Sequence, residues 1–537
     1  MSSPAGPRTG RPPTRCDRGV VAAPHYLASS AGAAILRRGG SAVDAVIATN
    51  AVLAVVYPHM CGLGGDGFWL IHDGETLTGL NASGPAAAAG ATREAYRSQG
   101  HAQIPSRGGA AVVTVPGAVD GWRLAHERYG RLPWDDLFDD AVHYARAGVP
   151  VSRSLAESLS AGAPMLRRDA EAARVLLPRD HALRDGERLP LPDLAESLDA
   201  LRRHGPRHLY DGDLGVRLAA GAGTVGSPLT PEDLAAYQAE WVSPLSITYR
   251  GLGVHTVPPN SQGIAALQIL GTVEGFDVAS WGDASFEHVH HIVEATKQAF
   301  ADRDRYVSDP KFADVPVQRL LSREHLSDRR RAIDADAVLP TEDGDPGGDT
   351  AAFSAVDGDG LAVSAIQSLY QGFGAGVIPA GTGIVLHNRG SYFSMDDDHV
   401  NRLEPGKRTM HTLIPAMVTR DGQPWLVYST MGGEGQAQTH AALVTRMVDF
   451  GYDVQQAIEA PRWLLGRPHV DDPTAVWLEG RIGDQTAREL ALVGHPVRMA
   501  ADWDSAMGHA QAIRVDGDTG LLEGGADPRS DGSAAGY

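Results

Sequence analysis

The chain is short of cysteine, of basic runs and of long apolar runs, and each shortage excludes something. Only two cysteines, Cys16 and Cys61, occur in 537 residues. Cys16 stands in a tail rich in Pro, Gly, Ser and Arg, so a disulfide framework is excluded and a reducing compartment fits. No Lys/Arg-rich run interrupts an acidic balance of −19. Nucleic acid is therefore an unsuitable partner, and the acidity serves solubility. The apolar run Ala45 to Val56 is broken by Thr49 and Asn50 and falls short of the roughly 20 residues that span a bilayer. Residues 1–18 have no apolar core of the kind a secretory signal needs and read as a disordered tail. These absences leave a cytoplasmic protein with neither a nucleic-acid nor a membrane partner.

What is present is ample core material, 43 % apolar residues, and 63 glycines, which imply many tight turns and close backbone approaches. Apolar spacing predicts helices from Leu27 to Arg38, from Ala42 to Val55 and from Phe286 to about Tyr306. It also predicts strands at Phe68–His72 and Ile247–Val257, and a mostly helical region over residues 120–220. Residues 334–349, rich in Asp, Gly and Pro, read as an exposed mobile loop where a chain cut does least damage. Beyond it the texture changes to strands. One hairpin pairs Ala352–Val356 with Leu361–Ile366 around Gly358-Asp359-Gly360, and another pairs Thr412–Val418 with Trp425–Ser429. Helices follow over about Gln438–Asp449 and Val454–Ala460.

The junction between these halves carries chemistry. Gly347-Gly348-Asp349-Thr350 ends a flexible loop and puts a threonine at the head of a strand. By itself the tetrapeptide is also an ordinary surface turn. If the bond between Asp349 and Thr350 is cut, however, Thr350 gains an α-amine, whose ordinary pKa is about 7.7–8.0. Partial burial lowers it further. A weakly nucleophilic hydroxyl would then have its base on the same residue. Thr350 can make the cut itself by attacking the Asp349 carbonyl, giving an ester that water hydrolyses.

Motifs along the whole chain resemble the γ-glutamyltransferase family. They are Gly39-Gly40-Ser41-Ala42-Val43-Asp44-Ala45, the turn from Tyr57-Pro58-His59 to Gly62-Leu63-Gly64-Gly65-Asp66-Gly67-Phe68, and Val115-Pro116-Gly117-Ala118. They continue with Tyr249-Arg250-Gly251 before Pro258-Pro259-Asn260-Ser261, Glu294-Ala295 to Ala301-Asp302-Arg303, Thr350 to Asp357, Phe373-Gly374-Ala375-Gly376 and Met431-Gly432-Gly433. The resemblance implies an α+β fold, a four-layer αββα sandwich of the N-terminal-nucleophile hydrolase type. It also implies a precursor that cuts itself into a large subunit (19–349) and a small one (350–537), which stay together, with no metal or organic cofactor. Carried over by position, Thr350 is the nucleophile and Ser368 supplies a second hydroxyl. The backbone N–H groups of Gly432 and Gly433 form the oxyanion hole, where small residues let donors approach an oxyanion closely.

The departures fall in the substrate pocket. Asn81, in Leu80-Asn81-Ala82-Ser83, stands where the family has a carboxylate-binding Arg. Tyr392, in His387-Asn388-Arg389-Gly390-Ser391-Tyr392-Phe393, stands where it has an amine-binding Asp. His411 and Thr412 replace a serine pair, and Tyr370 joins the same set. Without both charge partners a γ-glutamyl group should be held poorly, so glutathione is expected to be a poor substrate. Arg389 is a gain, suited to bidentate carboxylate binding. This set implies an amidohydrolase or acyltransferase acting on a small carboxylate-bearing amide, and it is similar to the oxamate amidohydrolase branch. The short link from Phe393 to Lys407-Arg408 implies an open site that favours water over an amine acceptor. A true γ-glutamyltransferase, an acylase or carbon–carbon hydrolase of secondary metabolism, and a catalytically silent binding relative stay open.

Other patterns carry less. Gly62-x-Gly64-x-x-Gly67 has the spacing of a dinucleotide fingerprint but follows a helix and precedes a strand, the reverse of the required order. His288, His290, His291 and Glu294 share one helix at spacings that do not converge three ligands. Asp302-Arg303 reads as a structural ion pair, and Asp527-Pro528-Arg529 as an anchor of the C-terminal tail.

Overall fold

The computed structural model describes residues 9–179, 181–340, 348–466 and 474–537. Two seven-stranded sheets face each other. The strands of the first, in chain order, are β2 (Gly19–Ala23), β3 (Asp66–His72), β4 (Leu77–Ala82), β5 (Glu240–Val242), β8 (Asp349–Asp357), β9 (Ala362–Tyr370) and β14 (Ser533–Gly536). The second holds β1 (Thr14–Cys16), β6 (Leu245–Tyr249), β7 (Leu252–Thr256), β10 (Pro415–Arg420), β11 (Gln423–Thr430), β12 (Ala510–Val515) and β13 (Leu522–Ala526). The spatial orders are β14-β2-β8-β9-β3-β4-β5 and β1-β13-β12-β11-β10-β7-β6, antiparallel throughout. Both seven-stranded sheets mix strands from the two sides of the Asp349–Thr350 bond. Each side alone would leave broken ladders and an uncovered apolar face.

Between the sheets lies a core of Val20, Phe68, Ile366, Met417, Val427 and Ile513. A cross-sheet hydrogen bond from Ser364 Oγ to Tyr428 O, 2.8 Å, ties the layers. Helices α1 (Tyr26–Arg37), α2 (Ala42–Val56) and α3 (Ala118–Tyr129) cover the outer face of the first sheet. Helices α4 (Gly263–Val273), α5 (Phe286–Tyr306) and α6 (Gln436–Val448) cover the second. The result is the four-layer αββα sandwich. Because both faces are covered, β8 and β9 are buried along almost their whole length, unlike a sheet with one wet face. Local signals explain the helix ends. Ser41 and Asp44 form a reciprocal capping box on α2, and Ser285 caps α5, which ends in Arg303 and Arg305, cations suited to a helix C-terminus.

Three expectations need correction. Ile247–Val257 is not one strand but the hairpin β6–β7, because Arg250 and Gly251 take positive φ, +49° and +82°, and reverse the chain. The tail expected over 1–18 is folded in its described part: Thr14–Cys16 pairs with Leu522–Gly524, and Arg11 donates to Ala526 O at 2.6 Å. Asp302 and Arg303 do not pair with each other. One faces His325 and Arg329, the other Asp304 and Glu434, since adjacent helical residues point about 100° apart. Residues 1–8 of the expected tail and 341–347 of the expected loop, Gly347 included, lie outside the described residues.

Candidate active site

Thr350 is fully buried near the start of β8. The β8–β9 register shifts there: Asp349 pairs with Tyr370 and Ala351 with Gln367. Two residues, Ser368 and Leu369, thus oppose Thr350 in a bulge, a device that re-aims side chains. Thr350 Oγ1 donates to Ser368 Oγ at 3.2 Å, and Ser368 Oγ donates to the Asp349 carbonyl oxygen at 2.6 Å. The Tyr370 N–H, 2.7 Å from Ser368 Oγ, fixes the hydroxyl. Tyr370 itself is held at φ +77°, a costly conformation for an aromatic residue and one that clusters at functional sites.

The glycine pair comes from the end of β11. Gly432 and Gly433 have φ of +140° and +53°, a turn that favours glycine. A Cβ added to Gly348 would lie 2.9 Å from Gly433 Cα. Gly348, one residue before Asp349, therefore packs closely on Gly433, a member of the pair expected to hold an oxyanion.

Arg389, Thr412, Tyr370 and Tyr392 also converge. The Arg389 guanidinium is 1 % exposed, donates to Thr412 Oγ1 at 3.2 Å and lies 4.0 Å from the Tyr370 ring centre and 6.0 Å from that of Tyr392. His411 sits behind it, 3.2 Å from Asp66 Oδ2. Burial, with the Arg389 charge, pushes His411 down to about 3 and keeps it neutral. Burial pushes the Asp66 carboxyl up, but its contacts with His387 and His411 outweigh this and hold it well below the usual range. The Asn81 amide is engaged by Asn260 at 2.9 Å and Ser83 at 2.7 Å, and the Asn260 carbonyl in turn accepts from the His411 N–H at 2.8 Å.

Sequence reasoning missed Asp66, His387, Gln262 and Glu434. Tyr392 OH donates to Glu434 Oε1 at 2.7 Å, and Arg303 Nη2 donates to Glu434 Oε2 at 3.1 Å. Arg303 Nη1 donates to Gln262 Oε1 at 3.0 Å, and Gln262 Nε2 donates to Gly433 O at 3.1 Å and Thr412 O at 2.9 Å. An acid directly after two glycines was the available signal. Beside this chain lies a cavity of about 210 Å³ lined by Arg303, Asp304, Ser391, Tyr392, Asn401 and Glu434.

The helical histidines behave otherwise. His288 faces Asp283 and Thr445, and His291 bonds Glu287 O. His290 and Glu294 do meet a third group, His495, brought in from far along the chain, with ligand atoms within 4.8 Å of one another. The Lys297 ammonium, 2.7 Å from Glu294 Oε1 and 2.9 Å from Leu339 O, already supplies the cation there. Asp527 and Arg529 join Arg462 and Glu479 in a buried ion network. No helix among the described residues is long and apolar enough to cross a membrane.

The family model described as Gamma-glutamyltranspeptidase matches residues 28–537. The chain is 45 % identical over 519 residues to the glutathione hydrolase-like YwrD proenzyme of Bacillus subtilis (strain 168), covering 96 % of this chain and 98 % of that one. It is 44 % identical over 526 residues to the oxamate amidohydrolase proenzyme of Klebsiella pneumoniae subsp. pneumoniae, covering 97 % and 98 %. Among solved structures, the cephalosporin acylase from Bacillus halodurans superposes with a TM-score of 0.92 at 38 % identity, covering 100 % of this chain and 98 % of that one.

Proposed function

Since the chain belongs to the gamma-glutamyltranspeptidase family, a family of hydrolytic enzymes, we propose that it is a self-processing threonine amidohydrolase for small carboxylate-bearing amides. The single observation that carries this reading is the hydroxyl relay Thr350–Ser368–Asp349 O. In the precursor, Thr350 Oγ bonds to the Asp349 carbonyl carbon while its proton passes to Ser368 Oγ and the Ser368 proton passes to the carbonyl oxygen, from which it later moves to the leaving nitrogen. The Asp349 C–N bond breaks, the nitrogen gains a proton, and an ester remains. Water cleaves it to leave a large subunit ending at Asp349 and a small subunit beginning at Thr350. That the relatives are named as proenzymes supports this step.

In turnover the same oxygen attacks a substrate amide. The freed α-amine takes the hydroxyl proton and passes it to the leaving amine, and water resolves the acyl-enzyme. Gly432 and Gly433 hold the oxyanion. Arg389, steadied by Thr412 and stacked on Tyr370, suits a substrate carboxylate. The short link from Phe393 to Lys407 favours water over an amine acceptor. The free thiols Cys16 and Cys61 suit a cytoplasmic setting.

One observation favours a second reading, a true glutathione hydrolase: the Glu434 carboxylate on the Tyr392 hydroxyl restores an acid near the place the family uses for an ammonium. Arg303 offsets that charge, so the first reading stands ahead. Ammonia release from oxamate and short dicarboxylic monoamides, set against cleavage of a γ-glutamyl anilide, decides between them. Comparable or faster anilide turnover overturns the substrate assignment.

A further inference from the structure

We propose that Arg303 is a positioning residue for the oxyanion hole, acting through Gln262 and by offsetting the charge of Glu434. The inference rests on the assignment of that hole to Gly432 and Gly433. Three contacts carry it. Gln262 Nε2 grips the carbonyls of Gly433 and Thr412, at 3.1 and 2.9 Å. It therefore joins the glycine turn to the residue that steadies Arg389. The Gln262 amide can do this only with its oxygen turned the other way, and there Arg303 Nη1 meets that oxygen at 3.0 Å. A guanidinium has no acceptor, so it admits one orientation of the amide.

The second role is electrostatic. Glu434 follows the glycine pair directly and is buried. A carboxylate so close to a developing O⁻ opposes the transition state, and low-dielectric surroundings enlarge the effect. Arg303 Nη2, 3.1 Å from Glu434 Oε2, offsets that charge. The Arg303 guanidinium is 1 % exposed, also pairs with Asp304 at 2.6 Å and lies 4.0 Å from the Phe300 ring centre. It is anchored on α5, and α5 is fixed by packing rather than by the site. Among the described residues, Asp304, Tyr392 and Gln262 bond to this pair, and His399 lines the same cavity.

The test compares wild type, Arg303→Gln and the double variant Arg303→Gln/Glu434→Gln, with activity counted per mole of processed enzyme on the best amide found. Arg303→Gln should lose about 100-fold in kcat with KM little changed, the scale of an oxyanion-hole defect. Removing the acid as well should recover about tenfold. Should the single variant stall at self-cleavage, the same rescue is read in the rate of that cleavage. The activity of Arg303→Gln relative to wild type should rise as pH falls from 8 to 6, because a buried carboxylate without its cation takes up a proton more readily. The double variant should show no such rise. A double variant no better than the single one, with a flat pH ratio, overturns the inference while leaving the nucleophile assignment intact. Activity surviving in Thr350→Ala would instead sink the reading beneath it.

Discussion

Ser368 faces Thr350 across a β-bulge, their hydroxyl oxygens 3.2 Å apart, and the same Ser368 oxygen donates to the Asp349 carbonyl at 2.6 Å. One hydroxyl thus bridges the Thr350 oxygen and the Asp349 carbonyl, the two groups that the proposed self-cleavage would join. Ser368→Ala removes that bridge and should slow self-cleavage by roughly 100-fold, the lower range for losing a general acid–base group. Ser368→Thr keeps the oxygen and should cleave within a few-fold of wild type. A time course of freshly purified precursor on denaturing gels measures both, and rapid cleavage of Ser368→Ala would remove Ser368 from the mechanism.

Thr350→Ala should stay a single chain of 56.7 kDa and turn over no amide, whereas wild type should give two bands, the shorter spanning residues 350–537. N-terminal sequencing of that band should begin at Thr350. Another starting residue would displace the nucleophile.

Arg389→Met should cost about 2–5 kcal/mol in kcat/KM for a carboxylate-bearing amide, the usual loss when one partner of a buried charge pair is truncated. An uncharged amide of similar size should lose far less. Arg389→Lys should recover only part, since an ammonium cannot reproduce the planar fork or its stacking on Tyr370. Equal losses on both substrates would show that Arg389 supports the fold rather than the carboxylate.

Acid should destabilise the protein well before its carboxylates titrate. Burial pushes both His59 and His411 down to about 3, against about 6.5 in the unfolded chain. Their folded-state values are depressed, so the full contribution is present above about pH 6.5. It is lost progressively as pH falls toward 3, by up to about 1.4 kcal/mol per pH unit for each neutral buried histidine. Thermal melts at pH 7, 5.5 and 4.5 should show Tm falling steeply. His59→Phe, which keeps an aromatic ring against Tyr57 and Phe373, should flatten part of that fall. A Tm constant down to pH 4.5 would contradict the burial of these rings.

Much of the fold was legible because its signals are local. The helix expected over Phe286 to Tyr306 occupies those residues, fixed by a Ser285 cap and apolar residues at helical spacing. The hairpin starting near Thr350 was readable from two strand-forming runs around a Gly-Asp-Gly turn. The β6–β7 reversal escaped because Arg250 adopts a left-handed conformation that its type does not announce.

The candidate site was legible only where motif order by itself singles out a residue. Thr350, Ser368, Arg389 and the glycine pair could be named from motif order. Glu434, Gln262 and Asp66 could not, because a lone acid or amide in a sequence has no meaning until its neighbours are known. Asn81 shows the converse: position suggested the pocket, while the folded chain engages its amide with Asn260 and Ser83.

By itself, then, the sequence determined which segments coil or extend, and which hydroxyl stands near the head of a strand. Those properties arise from residues a few positions apart. Tertiary structure decided what surrounds that hydroxyl. Arg303 and Glu434 meet across 131 residues, Gln262 and Gly433 across 171, and only the stacking of two sheets under their helices brings such distant polar groups together. Their charges and hydrogen bonds act over a few ångströms in space, a separation the order of residues does not encode.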